Sequence, residues 1–273
     1  MLKFDNPLRR LRIACCALLL ASCVCAASAS EPPLVLAFSE LPPWKTKSGT
    51  EPNVEYGGAY TEIVRELARR VGRELRITEC PLARCMVMMR SGEADLSIGI
   101  QQSPERDEFM GFLQTPYRRS ATDRVFYVRR GDAQRIRRYE DLKGLHIGVG
   151  RASGYFDRFD DDKTLLKEPA PNNAANLHKL LLKRLDTVVM PEDQGAVLIS
   201  ELGMANQVEE AVYRERDQTP RSIAVSRHSA AFALLPQLEA AMQAMRRDGK
   251  LTAIFDKYFY ERYRVTRKQV RLD

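Results

Sequence analysis

Histidine is scarce in this 273-residue chain: His146, His178 and His228 are the only three, and they stand far apart. A histidine-centred metal site or a Ser-His-Asp triad therefore has little to draw on. Enzyme signatures are missing as well. There is no G-x-S-x-G elbow, no H-E-x-x-H pair, no Walker loop and no G-x-G-x-x-G opening a helix. Gly148-Val149-Gly150 is a bare G-x-G, and Ala152-Ser153-Gly154 after it lacks the dinucleotide spacing. Long apolar runs are absent outside residues 13–29, a stretch too short and too N-terminal for a multispanning membrane protein. Solenoid repeats and low-complexity tracts are absent too. Lys and Arg outnumber Asp and Glu by 43 to 36, but residues 1–29 carry +3 of the resulting +7. The remaining +4 is scattered, with no basic stripe interleaved with aromatics, which speaks against a nucleic-acid partner.

What is present begins with a leader. Arg9, Arg10 and Arg12 precede an apolar run and then small residues, the pattern of a signal peptide over residues 1–29. Two processing routes compete. Ala27-Ser28-Ala29 has the A-x-A form and would release a soluble chain from Ser30. Leu20-Ala21-Ser22-Cys23 resembles a bacterial lipobox, in which Cys23 would be lipidated. Either route exports the chain, and a periplasmic location is expected. Four of the six cysteines lie in or beside the leader. The other two, Cys80 and Cys85, form an isolated pair. In an oxidising compartment the pair suggests a small disulfide loop, with two free buried thiols as the alternative. Two such ligands without a nearby histidine do not close a zinc site, so no metal is expected, and nothing points to a cofactor.

The patterning is α/β. Residues 34–38 are β-rich, and Leu41-Pro42-Pro43-Trp44 forces an extended loop. Residues 45–57 are polar, with turn residues. Tyr60, Ile63, Val64, Leu67, Ala68 and Val71 keep helical period up to Gly72. A strand over 75–78, a helix over 82–90 and a buried strand over 95–100 complete a β-α-β-α-β series. A further β-rich run covers 125–128, a helical or turn-like stretch 139–144, and a second β-α pattern starts at 145–149. Helical faces at 178–185 and 195–202, with a strand over 187–190, continue it. A strand at 223–226 and helices at 236–247 and 251–260 end the chain. This predicts two α/β lobes joined by two crossing strands, near 125–128 and 223–226, with the ligand site at strand ends in the cleft between them. The expected division is 1–29 leader, 30–126 first lobe, 127–221 second lobe, and 222–273 return to the first.

Two strand-end turns carry candidate chemistry. In Gln101-Gln102-Ser103-Pro104-Glu105-Arg106, Ser103 reads as a helix N-cap with proline at the first helical position. Free backbone N–H groups there favour an anion, and Arg106 adds a planar fork suited to a carboxylate. A surface arginine in water is the plain alternative. In Gly150-Arg151-Ala152-Ser153-Gly154 small residues allow close approach of the backbone, and Ser153 can donate a hydrogen bond. An ordinary tight turn is the plain alternative there.

Together these segments resemble the family 3 periplasmic solute-binding proteins, the polar amino acid receptors of ABC importers, over roughly residues 33–263. The resemblance is carried by residues 34–44, by Gly58–Gly72, and by Ser91-Gly92-Glu93-Ala94-Asp95-Leu96. Ser103-Pro104-Glu105-Arg106 adds to it, with Phe112 and Thr115-Pro116-Tyr117 downstream. Asp141-Leu142-Lys143-Gly144, residues 147–154, and Asp248-Gly249-Lys250 through Lys257-Tyr258-Phe259 complete it. It implies the two-lobe, type II periplasmic binding fold and a monomer that closes around a small carboxylate-bearing ligand, a polar amino acid above all, for an ABC permease. It further implies that Arg106 clamps the ligand carboxylate, that Ser103 and the Gln101 backbone bind the same head group, and that Ser153 and Gly154 complete it from the second lobe. Trp44 lies near the loop supplying apolar cover, or else in the core. The family's second-lobe aspartate, partner of an α-ammonium, falls in register at Pro191, so that Glu192 or Asp193 would have to take over. Without it the ligand would lack an ammonium and be a dicarboxylate or another small anion. Phe38 also departs from the polar residue common at its position. Cyclohexadienyl dehydratase resembles the same family, and an enzyme of that kind would use Glu192 or Asp193 as general acid. A ligand-sensing module working through a partner is a third reading.

Overall fold

Strand β1 (Leu34–Phe38) is buried along its whole length, and its side chains alternate between two cores. Leu34, Leu36 and Phe38 face one cluster, and Val35 and Ala37 face another, as a strand covered on both sides by helices requires. The computed structural model describes residues 31–119, 121–151, 153–268, 270 and 272. The leader, its two processing sites and Cys23 lie outside the described residues.

The chain continues through a short hairpin, β2 (Thr46–Ser48) and β3 (Glu55–Gly57), into helix α1 (Ala59–Arg70). Strand β4 (Leu75–Glu79), helix α2 (Leu82–Ser91), strand β5 (Leu96–Ser97), the single turn α3 (Pro104–Asp107) and strand β6 (Met110–Phe112) follow. The second half holds β7 (Arg124–Arg129), β8 (His146–Gly150), α4 (Asp157–Asp161), β9 (Leu166–Ala170), α5 (Asn173–Leu181), β10 (Thr187–Pro191), α6 (Glu192–Glu201) and β11 (Val208–Glu215). Strand β12 (Ala224–Ser226) precedes α7 (Leu235–Arg247), α8 (Lys250–Phe255) and a π-helical turn at Asp256–Glu261.

Among the described residues the strands form two five-stranded sheets and the small hairpin. The first sheet runs β4-β1-β5-β12-β6, with β1 parallel to both neighbours and β12 antiparallel to β5 and β6. The second runs β11-β7-β10-β8-β9, with β8 parallel to β9 and β10, and β7 antiparallel to β10 and β11. Residues Pro33–Asp273 form one compact unit containing both sheets. The chain leaves the first sheet after Phe112 and returns to it at Ala224. The crossings are therefore residues 113–123 and 216–223, tied by an antiparallel bridge between Arg118 and Arg221. This corrects the expected crossing strands. Residues 125–128 lie inside β7 of the second sheet and 224–226 form β12 of the first, so both runs are anchored in sheets.

Helix α1 follows its periodicity: Tyr60, Ile63, Val64, Leu67 and Ala68 are buried. Gly58 before it has φ +95°, and a Cβ there would sit 2.3 Å from the Trp44 carbonyl oxygen. Only glycine lets the helix start against that loop. Other elements differ from expectation. The hairpin arises in the polar stretch after Trp44, where no apolar alternation announces it. Helix α5 starts five positions before the expected 178, because Asn172 caps it by accepting from the Ala175 N–H at 2.9 Å. It ends at Leu181, with Lys183 left-handed at φ +58°. Helix α6 starts at Glu192, directly after Pro191, rather than at 195. Strands β6, β9 and β11 were not expected, and only Leu96–Ser97 of the expected 95–100 strand pairs.

Cys80 and Cys85 form a disulfide with Cα atoms 5.4 Å apart, joining the end of β4 to the first turn and a half of α2. No helix among the described residues is long and apolar enough to cross a membrane. No group of three or more His, Cys, Asp or Glu among them is placed to hold a metal.

Candidate functional site

The first crossing places two polar side chains in the interior. Tyr117 N–H donates to the Arg221 carbonyl and Arg221 N–H donates to the Arg118 carbonyl, both at 2.9 Å. This pairing fixes the ribbon, and the Arg118 side chain is only 3% exposed. A guanidinium so buried needs partners. Its Nη1 donates to Asp193 Oδ2 at 3.1 Å and to the Tyr60 hydroxyl at 3.3 Å, and its Nη2 donates to Thr122 Oγ1 at 3.0 Å. The Thr122 hydroxyl in turn donates to Asp193 Oδ2. Burial opposes the charge on Arg118, but Tyr60 and Asp193 more than offset it and hold the guanidinium above its ordinary value. Burial pushes the Tyr60 hydroxyl up, and the Tyr117 hydroxyl well up, so both stay neutral.

Asp193 is placed by α6. Pro191 ends β10 and stands at the helix N-cap, so Glu192 and Asp193 fall in the first turn, where the helix dipole favours carboxylates. The Tyr127 hydroxyl donates to the Glu192 carbonyl at 3.1 Å and pins that turn to β7. Asp193 is 2% exposed, and its second oxygen accepts from the Gln194 N–H at 2.8 Å. Glu192 turns to Arg214 of β11 instead, at 2.7 Å. Burial still raises the Glu192 pKa, with Arg214 acting against it.

These groups surround a cavity of about 140 Å³. Leu41 and Gly99, beyond the carboxyl ends of β1 and β5, meet Pro191 at the carboxyl end of β10 and Arg124 at the start of β7. Arg118, Thr122 and Arg221 come from the crossings. A cavity at strand ends between two sheets is where open α/β folds bind ligands. A larger cavity of about 370 Å³, lined by Tyr117, Arg119, Arg246 and Phe255, is built with α7 and α8 and not from strand ends. The smaller one is the better candidate because it lies at strand ends and three arginine donors around it await acceptors, against the single Arg246 Nε among the arginines of the larger. Arg118 Nε, Arg124 Nε and Arg221 Nη1 are buried and have no hydrogen-bond partner among the described residues. Buried donors left unpaired are costly, and together they suit an anion.

Of the residues singled out in the sequence, the structure brings Trp44 and Asp193 to this cavity. Trp44 is a core residue that also lines the cavity. It stacks between Tyr60 at 4.9 Å and Phe259 at 4.5 Å, with the Arg118 guanidinium 5.1 Å from its ring centre. Ser103 caps α3 as its spacing suggests, accepting from the Arg106 N–H at 3.4 Å. Arg106 is half-buried, and its guanidinium donates to the Gln101 carbonyl. Ser153 and Gly154 are exposed, and the Ser153 N–H donates to the Gly150 carbonyl at 3.1 Å. Gln101, Ser103, Arg106, Ser153 and Gly154 do not line the cavity. Arg118, Thr122, Arg124 and Arg221 do, and sequence reasoning missed them. The available signal was the position of Arg118, directly after Pro116-Tyr117.

Sheet order, the antiparallel β12 and the two crossings define the type II periplasmic binding fold. Solved structures bear this out. Substrate binding domain 2 of GlnP from Lactococcus lactis, in an open conformation, aligns with TM-score 0.65 at 15% identity, covering 85% of this chain and 96% of that one. The amino acid ABC transporter substrate-binding protein AbpA from Streptococcus pneumoniae, bound to L-arginine, aligns with TM-score 0.59 at 17% identity, covering 84% and 94%. A histidine kinase sensor domain with similarity to periplasmic binding proteins gives TM-score 0.60 at 21% identity, covering 84% and 96%. A comparison with curated protein sequences gives no match. The family model for bacterial extracellular solute-binding proteins, family 3, matches residues 35–261. The chain belongs to that family.

Proposed function

We propose that this chain is a periplasmic binding protein that holds a small carboxylate-bearing solute between its two sheets and delivers it to an ABC permease. One observation carries the ligand class: three buried arginine donors around one strand-end cavity lack acceptors among the described residues. The four parts keep their order, with the lobe boundaries moved from 126/127 and 221/222 to the crossings at 113–123 and 216–223, the leader is removed on export, and the mature chain acts as a monomer. In this reading the turns bearing Arg106, Ser103 and the Gln101 backbone, and Ser153 with Gly154, close on the ligand from the two lobes. Trp44 and Asp193 form the floor.

The family is one of solute-binding proteins, and both acids an enzyme reading would need are already paired, Glu192 with Arg214 and Asp193 with Arg118. The likeness to a sensor domain favours one other use of the same fold, in which the loaded form signals to a receptor. Ligand-stimulated ATP hydrolysis by the reconstituted permease separates the two. The primary test is a thermal-shift and calorimetric screen of the chain from Ser30 with amino acids, mono- and dicarboxylates. A ligand at 100 times its Kd stabilises by about 2.7 kcal/mol, which is readily seen. Arg106→Ala is expected to raise Kd by roughly tenfold or more, as loss of a charge-assisted pair should. Unchanged affinity in that variant would remove Arg106 from the site.

A further inference from the structure

We infer that the ligand of this cavity is a short dicarboxylate that carries no ammonium group. This rests on the reading of the cavity as the solute site and narrows the class of solute.

The argument begins with the one acid available. Among the described residues lining the cavity Asp193 is the sole carboxylate, against Arg118, Arg124 and Arg221. An ammonium group in the cavity would need Asp193 as its counter-ion. Asp193 is already taken: one oxygen accepts from Arg118 and Thr122, and the other from the backbone N–H of Gln194. The Arg118 guanidinium belongs to the chain itself and occupies the place beside the acid that a ligand cation would claim. Glu192 offers no substitute, because it pairs with Arg214 and does not line the cavity.

The remaining charge points the same way. Arg221 is partly balanced by Asp217 at 3.1 Å. Among the described residues Arg124 has no carboxylate within ion-pair distance, and its Nη1 donates to the Thr122 carbonyl at 2.7 Å. The lining is thus net positive after internal pairing. Its unpaired donors come from two places, Arg118 and Arg221 on the crossing ribbon and Arg124 on β7. One carboxylate for each place satisfies both, and a ligand ammonium would add a like charge among three guanidinium groups. Size agrees: about 140 Å³ corresponds to roughly four or five water volumes, room for a short diacid.

The test is calorimetry on the chain from Ser30 with pairs differing only in the amino group, succinate against aspartate and glutarate against glutamate. The diacid is expected to bind about tenfold tighter or more than its amino counterpart. Equal or tighter binding of aspartate or glutamate would overturn the inference while leaving the solute-binding reading standing. If no carboxylate of any kind binds, that reading itself falls, and the inference with it. Arg118→Gln, checked for native circular dichroism, frees Asp193 and should move the preference toward the amino member of each pair. A folded variant with unchanged preference would count against Arg118 as the built-in cation. The wild-type comparison decides the question even if this variant does not fold.

Discussion

Lys45 is 3% exposed, and its ammonium donates to the Ile98 carbonyl at 3.0 Å with no acid paired to it among the described residues. Burial lowers its pKa to about 8. In the unfolded chain the group titrates near 10.4, so between about pH 8 and about 10.4 the unfolded state binds more protons and stability rises with pH. Below about pH 8 the penalty is present in full. Lys45→Met should therefore stabilise the protein by up to about 3 kcal/mol near neutral pH, an advantage that shrinks toward pH 10. Urea unfolding of both proteins at two pH values checks this, and a pH-independent difference would contradict it. The residue scale is also where the sequence was hardest to read. Asp193 and Trp44 were reached through the family resemblance, Asp193 only as an alternative to Glu192 and Trp44 as either cover or core. Arg118 was not, because in Arg118-Arg119 both members look like solvated surface. Arg119 is indeed exposed, whereas Arg118 is turned inward by pairing with Arg221, a partner remote in sequence.

At the scale of elements, α6 sits very close to β7. A Cβ on Gly195 would lie 2.3 Å from the Tyr127 ring. Alanine favours a helix by about 1 kcal/mol over glycine, but a contact this short forces the ring to move. The clash outweighs the propensity, and Gly195→Ala should destabilise by roughly 1–3 kcal/mol in chemical denaturation. Arg214 is the next element-scale joint, meeting Asp123, Glu192 and Glu210 at 3.3, 2.7 and 2.6 Å. Burial, and then Glu192, raise the Glu210 pKa to about 7. The unfolded glutamate ionises near 4.3, so this group lowers stability as pH rises from about 4.3 to about 7. Glu210→Gln should thus gain stability relative to wild type over that window and keep the gain above it. A constant difference from pH 4 to 8 would refute the assignment. Elements with strong periodicity, such as α1, were legible. The hairpin β2–β3 and the start of α5 were not, since one rests on polar pairing and the other on a single Asn172 cap.

At the scale of the molecule, α6 touches both halves. Val197 packs in the core of the first sheet, Ile199 in that of the second, and the Ser200 hydroxyl donates to the Tyr263 carbonyl at 3.1 Å. The helix bearing Asp193 is thus seated on the C-terminal segment as well as on its own sheet. Ligand should slow amide hydrogen exchange in residues 113–123 and 216–223 and in the first turn of α6, with little change at the outer strands β4 and β9. Uniform protection across the chain would argue against closure about the crossings. The two-sheet plan with a mid-chain excursion was legible from the order of apolar segments. The place of the crossings was not, because apolar runs mark strands anchored in sheets and say little about the polar ribbon between them.

Trp44 is the chain's one tryptophan, and its ring lies between two aromatic rings and under the guanidinium of Arg118 at the edge of the cavity. Every photon emitted by indole in this protein therefore originates a few ångströms from the site. Anion binding that shifts Arg118 alters the electric field on that ring and hence its emission. The fold carries its own optical reporter, with no background from other indoles and no label to attach.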